Sequence, residues 1–410
     1  MRLLDSVRLF GLERLAQSGE LEGAHANHRA WALELFVSAE QAYLEMGVER
    51  WLTPLEGEVE NLMAAVERGL LRLQAGTAGP ADAVHRTLLQ DLVSLLASAT
   101  NFCLRCGLGS QLGQWRRRLQ PWLQPDEPTL DAALEARWCL GGAMLGGQGQ
   151  IAVRDALALG ERAALLMAPG PRRQLALYVA GLFQLRLGQN DALRQTLDQM
   201  ANATTAGASV YVRRLVPMLQ ASLDQRDGRL AAYCQFWQNA LDESRALGDR
   251  YECWRAAWGV GQALFLQGQL DAAIAVMDEA INDIRVAGRL RTQAGFASQA
   301  VLVRLARDAS DQTLQQLYEV VPLLRAQGML FSALGDALAW VPLHQGRRDD
   351  ALRIQAWSDQ RVQAEKSVRS PMAQTLRDQF VEQAGPIPHD VAPARDDDDA
   401  CRLVFGFTQI

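Results

Sequence analysis

Residues 259–280 read GVGQALFLQGQLDAAIAVMDEA, two apolar helical runs on either side of a Gly-Gln pair. The same arrangement recurs along most of the chain. Runs with apolar residues at every second position are missing, while Ala, Leu, Arg, Gln and Glu dominate, all good helix formers. An all-α chain is therefore expected. Aligning on the glycine of LFLQGQLDAA gives Gly109, Gly149, Gly188, Gly228, Gly268 and Gly346, with gaps of 40, 39, 40, 40 and 78 residues. Asp308 stands where the missing member of the series belongs. The local sequences agree: LGQNDAL, DGRLAAY, QGQLDAA and QGRRDDA each join one apolar helix to another. Glycine supplies the left-handed residue that closes a helix, and an Asp or Asn soon after suits a cap for the next. Each unit of about 40 residues is then a helix hairpin that cannot bury its apolar faces alone. Stacked neighbours bury them and form a superhelical solenoid with a concave and a convex surface.

These units resemble tetratricopeptide (TPR) repeats of a lengthened kind. With the closing glycine at the repeat's fifteenth position, its small eighth position falls on Gly142, Gly181, Ala221, Gly261 and Ala339. That is where paired helices touch, so the resemblance implies a small side chain there. The unit at 254–287 fits best, through Gly261, Leu264, Ala273, Met277 and Ala280; Gln114, Arg154 and Tyr233 depart from the usual Ala of position twenty. Taken together, the fold expected is an all-α, TPR-like right-handed superhelix of helix hairpins.

Residues 1–75 carry a different signal. Arg2, Leu3, Leu4, Val7, Arg8, Leu12, Glu13, Arg14 and Leu15 match a bacterial junction pattern. His28, Trp51, Leu52, Leu55, Glu56, Glu58, Asn61, Leu62, Ala64 and Ala65 continue it. The segment resembles the one that follows the nucleotide-binding and winged-helix modules of signal-transduction ATPases (STAND/NB-ARC type) with TPR-rich C-termini, many of them transcriptional regulators. The resemblance implies an ATPase module preceding residue 1. The division expected is a junction at 1–75, a repeat array at 76–385, and a Pro/Asp-rich tail at 386–410. In that tail GPIPHDVAPARDDDDACRLVFGFTQI favours a linker over a packed helix, with CRLVFGF either free or docked on the last hairpin.

Composition narrows the function. Of 41 basic residues only Lys366 is a lysine, and its setting AEKSVRS has no glycine loop, so no P-loop nucleotide site is expected here. A net charge of −6 argues against a broad nucleic-acid surface. Arg116, Arg117 and Arg118 beside Trp115 suit an exposed helix face better than a binding patch. No apolar run of membrane-spanning length and no signal-peptide core stand out, and six cysteines make no disulfide framework. A cytoplasmic protein with reduced thiols and no membrane contact is expected. Cys103 and Cys106 form a CxxC, but neither a second ligand pair nor a βαβ setting accompanies it, so buried structural thiols are expected rather than zinc or redox chemistry. His25 and His28 suit capping or surface roles; His85, His344 and His389 are isolated. No GxSxG, HExxH or phosphate loop occurs, so neither an enzyme nor a cofactor nor a metal is expected.

Binding is the remaining class. The TPR resemblance places positions that line the concave groove at Tyr178, Arg186, Met218, Arg226, Arg255, Trp258, Gln262, Phe265, Asp336, Trp340 and His344. Arginines interleaved with aromatics suit a peptide, a carboxylate or a planar effector. Trp258 and Trp340 have a second reading as packing between hairpins. The function expected is a protein- or effector-binding sensor arm of an ATPase-type transcriptional regulator, with a free-standing scaffold as the alternative. Its partner is a protein, a peptide or a small effector, without direct nucleic-acid contact; self-association is compatible with either reading.

Overall fold

The structure, a computed structural model, describes residues 5–75, 83–123, 130–147, 149–202, 208–290 and 293–406. The described residues are helical and contain no strand. The first part comprises α1 (Asp5–Ser18), α2 (Leu21–Glu45), α3 (Val48–Leu52) and α4 (Val59–Ala75). Hairpins then follow: α5 (Ala83–Arg105) with α6 (Gly109–Leu119), α7 (Ala132–Gly146) with α8 (Val153–Leu166), and α9 (Pro171–Arg186) with α10 (Asn190–Ala201). Next come α11 (Val210–Arg226) with α12 (Leu230–Leu247), α13 (Arg250–Leu266) with α14 (Leu270–Val286), and α15 (Ala294–Leu305) with α16 (Asp311–Gln327). The end is built from α17 (Leu330–Leu334), α18 (Trp340–His344), α19 (Arg348–Glu365), α20 (Pro371–Ala384) and α21 (Asp397–Phe405).

The hairpin turns follow the glycine series. Gly149, Gly188, Gly228, Gly268 and Gly346 all lie in the left-handed region. Two members differ. In the α5–α6 turn Gly107 takes that conformation, and Gly109 is already the first residue of α6. At Asp308 the chain turns without a left-handed residue, the carboxylate instead accepting the Ser310 N–H at 3.0 Å. Burial pushes that carboxyl up, but the bonds from Ser310 and Arg307 outweigh it and hold it low. The expected caps after each glycine are absent: α10, α12 and α14 start without a side-chain cap. Caps sit instead on the leading helices, where Asp131, Ser209 and Asp249 accept from the third residue on. The small positions do mark helix contacts. A methyl on Gly181 would meet Leu193 of α10, and one on Gly261 would overlap Met277 of α14.

Two continuous apolar cores run through the stack. One extends from Ala32 of α2 to Ile284 of α14 and the other from Phe265 of α13 to Phe405 of α21. The array curls far enough to touch itself. Gln150 donates to the Gln327 carbonyl at a sequence separation of 177 residues, Arg186 pairs with Glu365 at 179, and Gln293 donates to the Arg105 carbonyl at 188. Val48 N–H to Asp249, Ser209 N–H to the Leu44 carbonyl, and the Arg289–Glu56 pair extend this closure to the N-terminal helices. Some residues expected to line a groove are thus engaged by distant parts of the chain itself.

Three further expectations change. The tail is not a linker throughout: residues 397–405 form α21, capped by Asp396, with Cys401, Val404 and Phe405 buried. Arg347 fastens it by donating to the Leu403 and Val404 carbonyls at 2.7 and 2.9 Å. The helix α5 is, by length and composition, apolar enough to cross a membrane, yet most of it packs inside the array against α2 and α7. Of the three clustered arginines only Arg117 lies on an exposed face. Arg118 pairs with Glu67 at 2.6 Å, and Arg116 is buried with its guanidinium over the Trp138 ring.

Candidate functional site

The leading helices α9, α11 and α13 carry the expected groove residues from Tyr178 to Phe265, Asp336 follows α17, and Trp340 and His344 lie on α18; the structure sorts these into three groups. The first surrounds Arg255. Its guanidinium lies 4.7 Å from the centre of the Tyr211 ring, pairs with Glu252, and donates to Met218 Sδ at 2.6 Å. Tyr178 is close enough to Arg255 and Tyr211 for each to affect its ionisation. Gln262 accepts from the Tyr233 hydroxyl at 2.9 Å and from Gln225 at 3.3 Å; Trp258 is half-buried beside Phe296.

The sequence reading missed the centre of this group. Arg105, between the two cysteines of the CxxC, reaches over Tyr251 at 4.4 Å, Tyr43 at 5.8 Å and Tyr211 at 5.9 Å. Among the described residues no carboxylate lies within ion-pairing distance of it; the tyrosine ring faces supply the stabilisation. Burial pushes the Tyr43, Tyr178 and Tyr251 phenols up, so all three stay protonated. Burial likewise holds the Arg255 guanidinium below its usual range, and the positive Arg105 adds to that. The signal that would have found Arg105 is positional: it is the last residue of an apolar helix, where a cation favours the helix dipole. The flanking thiols are poor nucleophiles. Burial pushes the Cys103 thiol up and the Cys106 thiol up to about 12.

The second group is Arg186, Arg226 and Asp336, which hold the segment between α19 and α20. Arg186 pairs with Glu365 at 3.3 Å, and its carbonyl accepts the Val368 N–H at 2.6 Å. Arg226 donates to the Arg369 carbonyl at 2.9 Å and the Leu185 carbonyl at 3.1 Å. Arg369 reaches back to Asp336 at 3.0 Å, and Gln355 and Ser358 also donate to that carboxylate, at 2.9 and 2.8 Å. The groove arginines therefore already carry the end of α19 and the chain that leaves it, residues 365–369. The third group is core. Trp340 is fully buried against Phe380, and Phe265 is buried in the second core, so the packing reading holds for Trp340. His344 sits at the turn before α19, its Nε2 3.1 Å from the Leu305 carbonyl.

No cluster of three or more metal-binding side chains occurs among the described residues. His25 and His28 share the α2 surface, where burial and then Arg68 hold both rings below their usual range. Compared with known proteins, the chain matches no family model and no curated protein.

Proposed function

We propose that the chain is a recognition arm that takes a peptide, or a small effector, on α9 and α11. In this reading it serves an ATPase-type transcriptional regulator. The observation that supports it is the pair Arg186 and Arg226 on residues 365–369. One arginine takes a carboxylate, the other a main-chain carbonyl, and the Arg186 carbonyl takes an amide N–H. Together these features recognise the end of a helix that carries an acidic side chain, and the backbone that leaves it, whichever chain supplies it. A partner of that kind competes with the protein's own segment. Its binding then biases closure of the array, because only a ligand that prefers one state shifts an equilibrium between two.

The test uses a fluorescent peptide of residues 362–371 and the whole chain. Binding is expected to be weak to the native protein and stronger to Glu365→Ala, whose own segment is loosened. Adding Arg186→Ala and Arg226→Ala should remove it with helicity retained. A peptide that binds none of these, or all equally, rejects the reading. The free-standing scaffold is the second reading. An intact-mass measurement on the endogenous protein separates the two: a species of 45.1 kDa favours the scaffold, and a much larger one favours the regulator.

A further inference from the structure

The helix α21 is joined to α20 by residues 385–396, an irregular stretch that carries Pro386, Pro388 and Pro393. The two ends of this connector lie close together. Arg348, the first residue of α19, donates to the Ala384 carbonyl at 2.7 Å. Further along α19, Arg353 donates to the Ala392 carbonyl at 3.3 Å, and its own carbonyl accepts the Ala394 N–H at 3.1 Å. The two arginines stand about 8 Å apart along the helix, whereas the chain between Ala384 and Ala394 extends to about 30 Å. The connector is therefore slack. Proline and the residue before it favour extended backbone, so the connector's own preference is to straighten, which carries α21 away from α19.

The dock that receives α21 holds both of its ends. At the start, Asp398 pairs with Arg325 of α16, Asp397 with Arg361 of α19 at 3.3 Å, and Asp399 with Arg353 at 3.8 Å. At the other end Arg347 takes the Leu403 and Val404 carbonyls, and the Phe405 ring lies 4.8 Å from that of Tyr318. Three carboxylates meet three arginines, and the open carbonyls of a helix C-terminus meet a cation. These contacts are the same whichever chain carries the helix. A helix as short as α21 does not persist alone in water, so a released α21 exposes Cys401, Val404 and Phe405 until it finds a dock. A second copy of the chain carries the matching dock and a matching helix to exchange for it.

We propose that two copies of this chain exchange α21, each seating its helix on α16 and α19 of the other. The straightened connector spans the pair, and every docking contact of the single chain is kept. The exchange uses none of the residues that hold 365–369, so failure of either reading leaves the other standing.

The test mixes two variants of the whole chain. Arg325→Asp with Arg361→Asp spoils the dock and leaves the arm native. Asp397→Arg with Asp398→Arg spoils the arm and leaves the dock native. Neither variant can seat its own α21, but in an equimolar mixture the native arm of the first meets the native dock of the second. Light scattering is expected to give the 45.1 kDa of one chain for each variant alone and twice that for the mixture. Labelling of Cys401 in the first variant, followed in isotope-labelled chain, should slow about tenfold or more on mixing, the worth of one charged hydrogen bond. Should a charge-reversed variant fold poorly by circular dichroism, Arg325→Gln with Arg361→Gln is mixed with Asp397→Asn with Asp398→Asn, and the same doubling is expected. A mixture that keeps the mass of one chain, a variant that doubles alone, or Cys401 labelling unchanged on mixing overturns the proposal.

Discussion

Lys366 ends α19 in the left-handed region, at φ 50° and ψ 34°. The single lysine of the chain is the one described non-glycine residue with positive φ. It belongs to a second series of turns. Gly248, Gly288 and Gly328 close α12, α14 and α16 in the same conformation, at 40-residue spacing and midway between the hairpin glycines. The sequence alignment followed one series only, so the second, and the place of Lys366 in it, went unread. An L residue in this region costs about 1–2 kcal/mol, part of which glycine returns through its freer unfolded chain. Lys366→Gly should therefore stabilise the protein by about 0.5–1 kcal/mol, seen as a higher denaturant midpoint at unchanged slope. A lower midpoint would mean that the lysine side chain makes a contact worth more than the strain. Other single positions were plainly legible. Gly181 and Gly261 were read as helix contacts because close approach leaves only one side-chain size to choose from, and that inference needs no knowledge of the neighbours.

Among the elements, α21 shows where composition misleads. Four consecutive aspartates favour a linker when counted, yet here they occupy the start of a helix: Asp396 is the N-cap, and Asp397, Asp398 and Asp399 form the first turn. Carboxylates there meet free N–H groups and the positive end of the helix dipole. The apolar Cys401, Val404 and Phe405 recur at helical spacing, a pattern too short to outweigh the run before it. Asp399 is the anchor. Hydrogen bonds from Arg395, side chain and backbone, with Arg402 beside them, hold its carboxyl at about 2 against an ordinary 3.8. A carboxyl depressed in the folded state contributes stability that is complete above its ordinary value and is lost as pH falls through the folded one. The docking of α21 is thus expected to weaken between pH 4 and pH 2. Cys401, on the packed face of α21, reports it: dithiodipyridine labelling mapped by mass should rise in that window. Asp399→Asn should produce the same labelling at neutral pH. A Cys401 equally protected in that variant would show that apolar packing alone holds α21.

At the scale of the whole molecule the sequence was informative about the units and silent about their curvature. Hairpin length, turn glycines and small contact positions are local, and each is written in a window of about 40 residues. Curvature is a sum of small rotations between neighbours, and none is encoded in a single motif. That is why Arg186 and Arg226 were placed on the correct helices yet read as facing an open groove. The contact that occupies them comes from a segment 179 residues further on in one case and 143 in the other. It is also why Tyr178 and Arg255 were identified while Arg105 and Tyr43 were not: these lie on α5 and α2, and closure brings them against α11 and α13, whereas Tyr211 stands on the neighbouring unit beside Arg255, outside the positions the repeat pattern marked. If the pairs at 365–369 help to hold the closure, weakening them should open the array without unfolding it. In Arg226→Ala combined with Glu365→Ala, hydrogen exchange is expected to rise first in residues 365–370, then at the Gln150–Gln327 and Arg105–Gln293 contacts. The amides inside α13 should stay protected. Small-angle scattering should show a larger radius at unchanged helicity. A radius and exchange pattern like those of the native protein would place the closing force in the Arg105–tyrosine centre instead. The segment 365–369 would then be a passenger on a groove already shut.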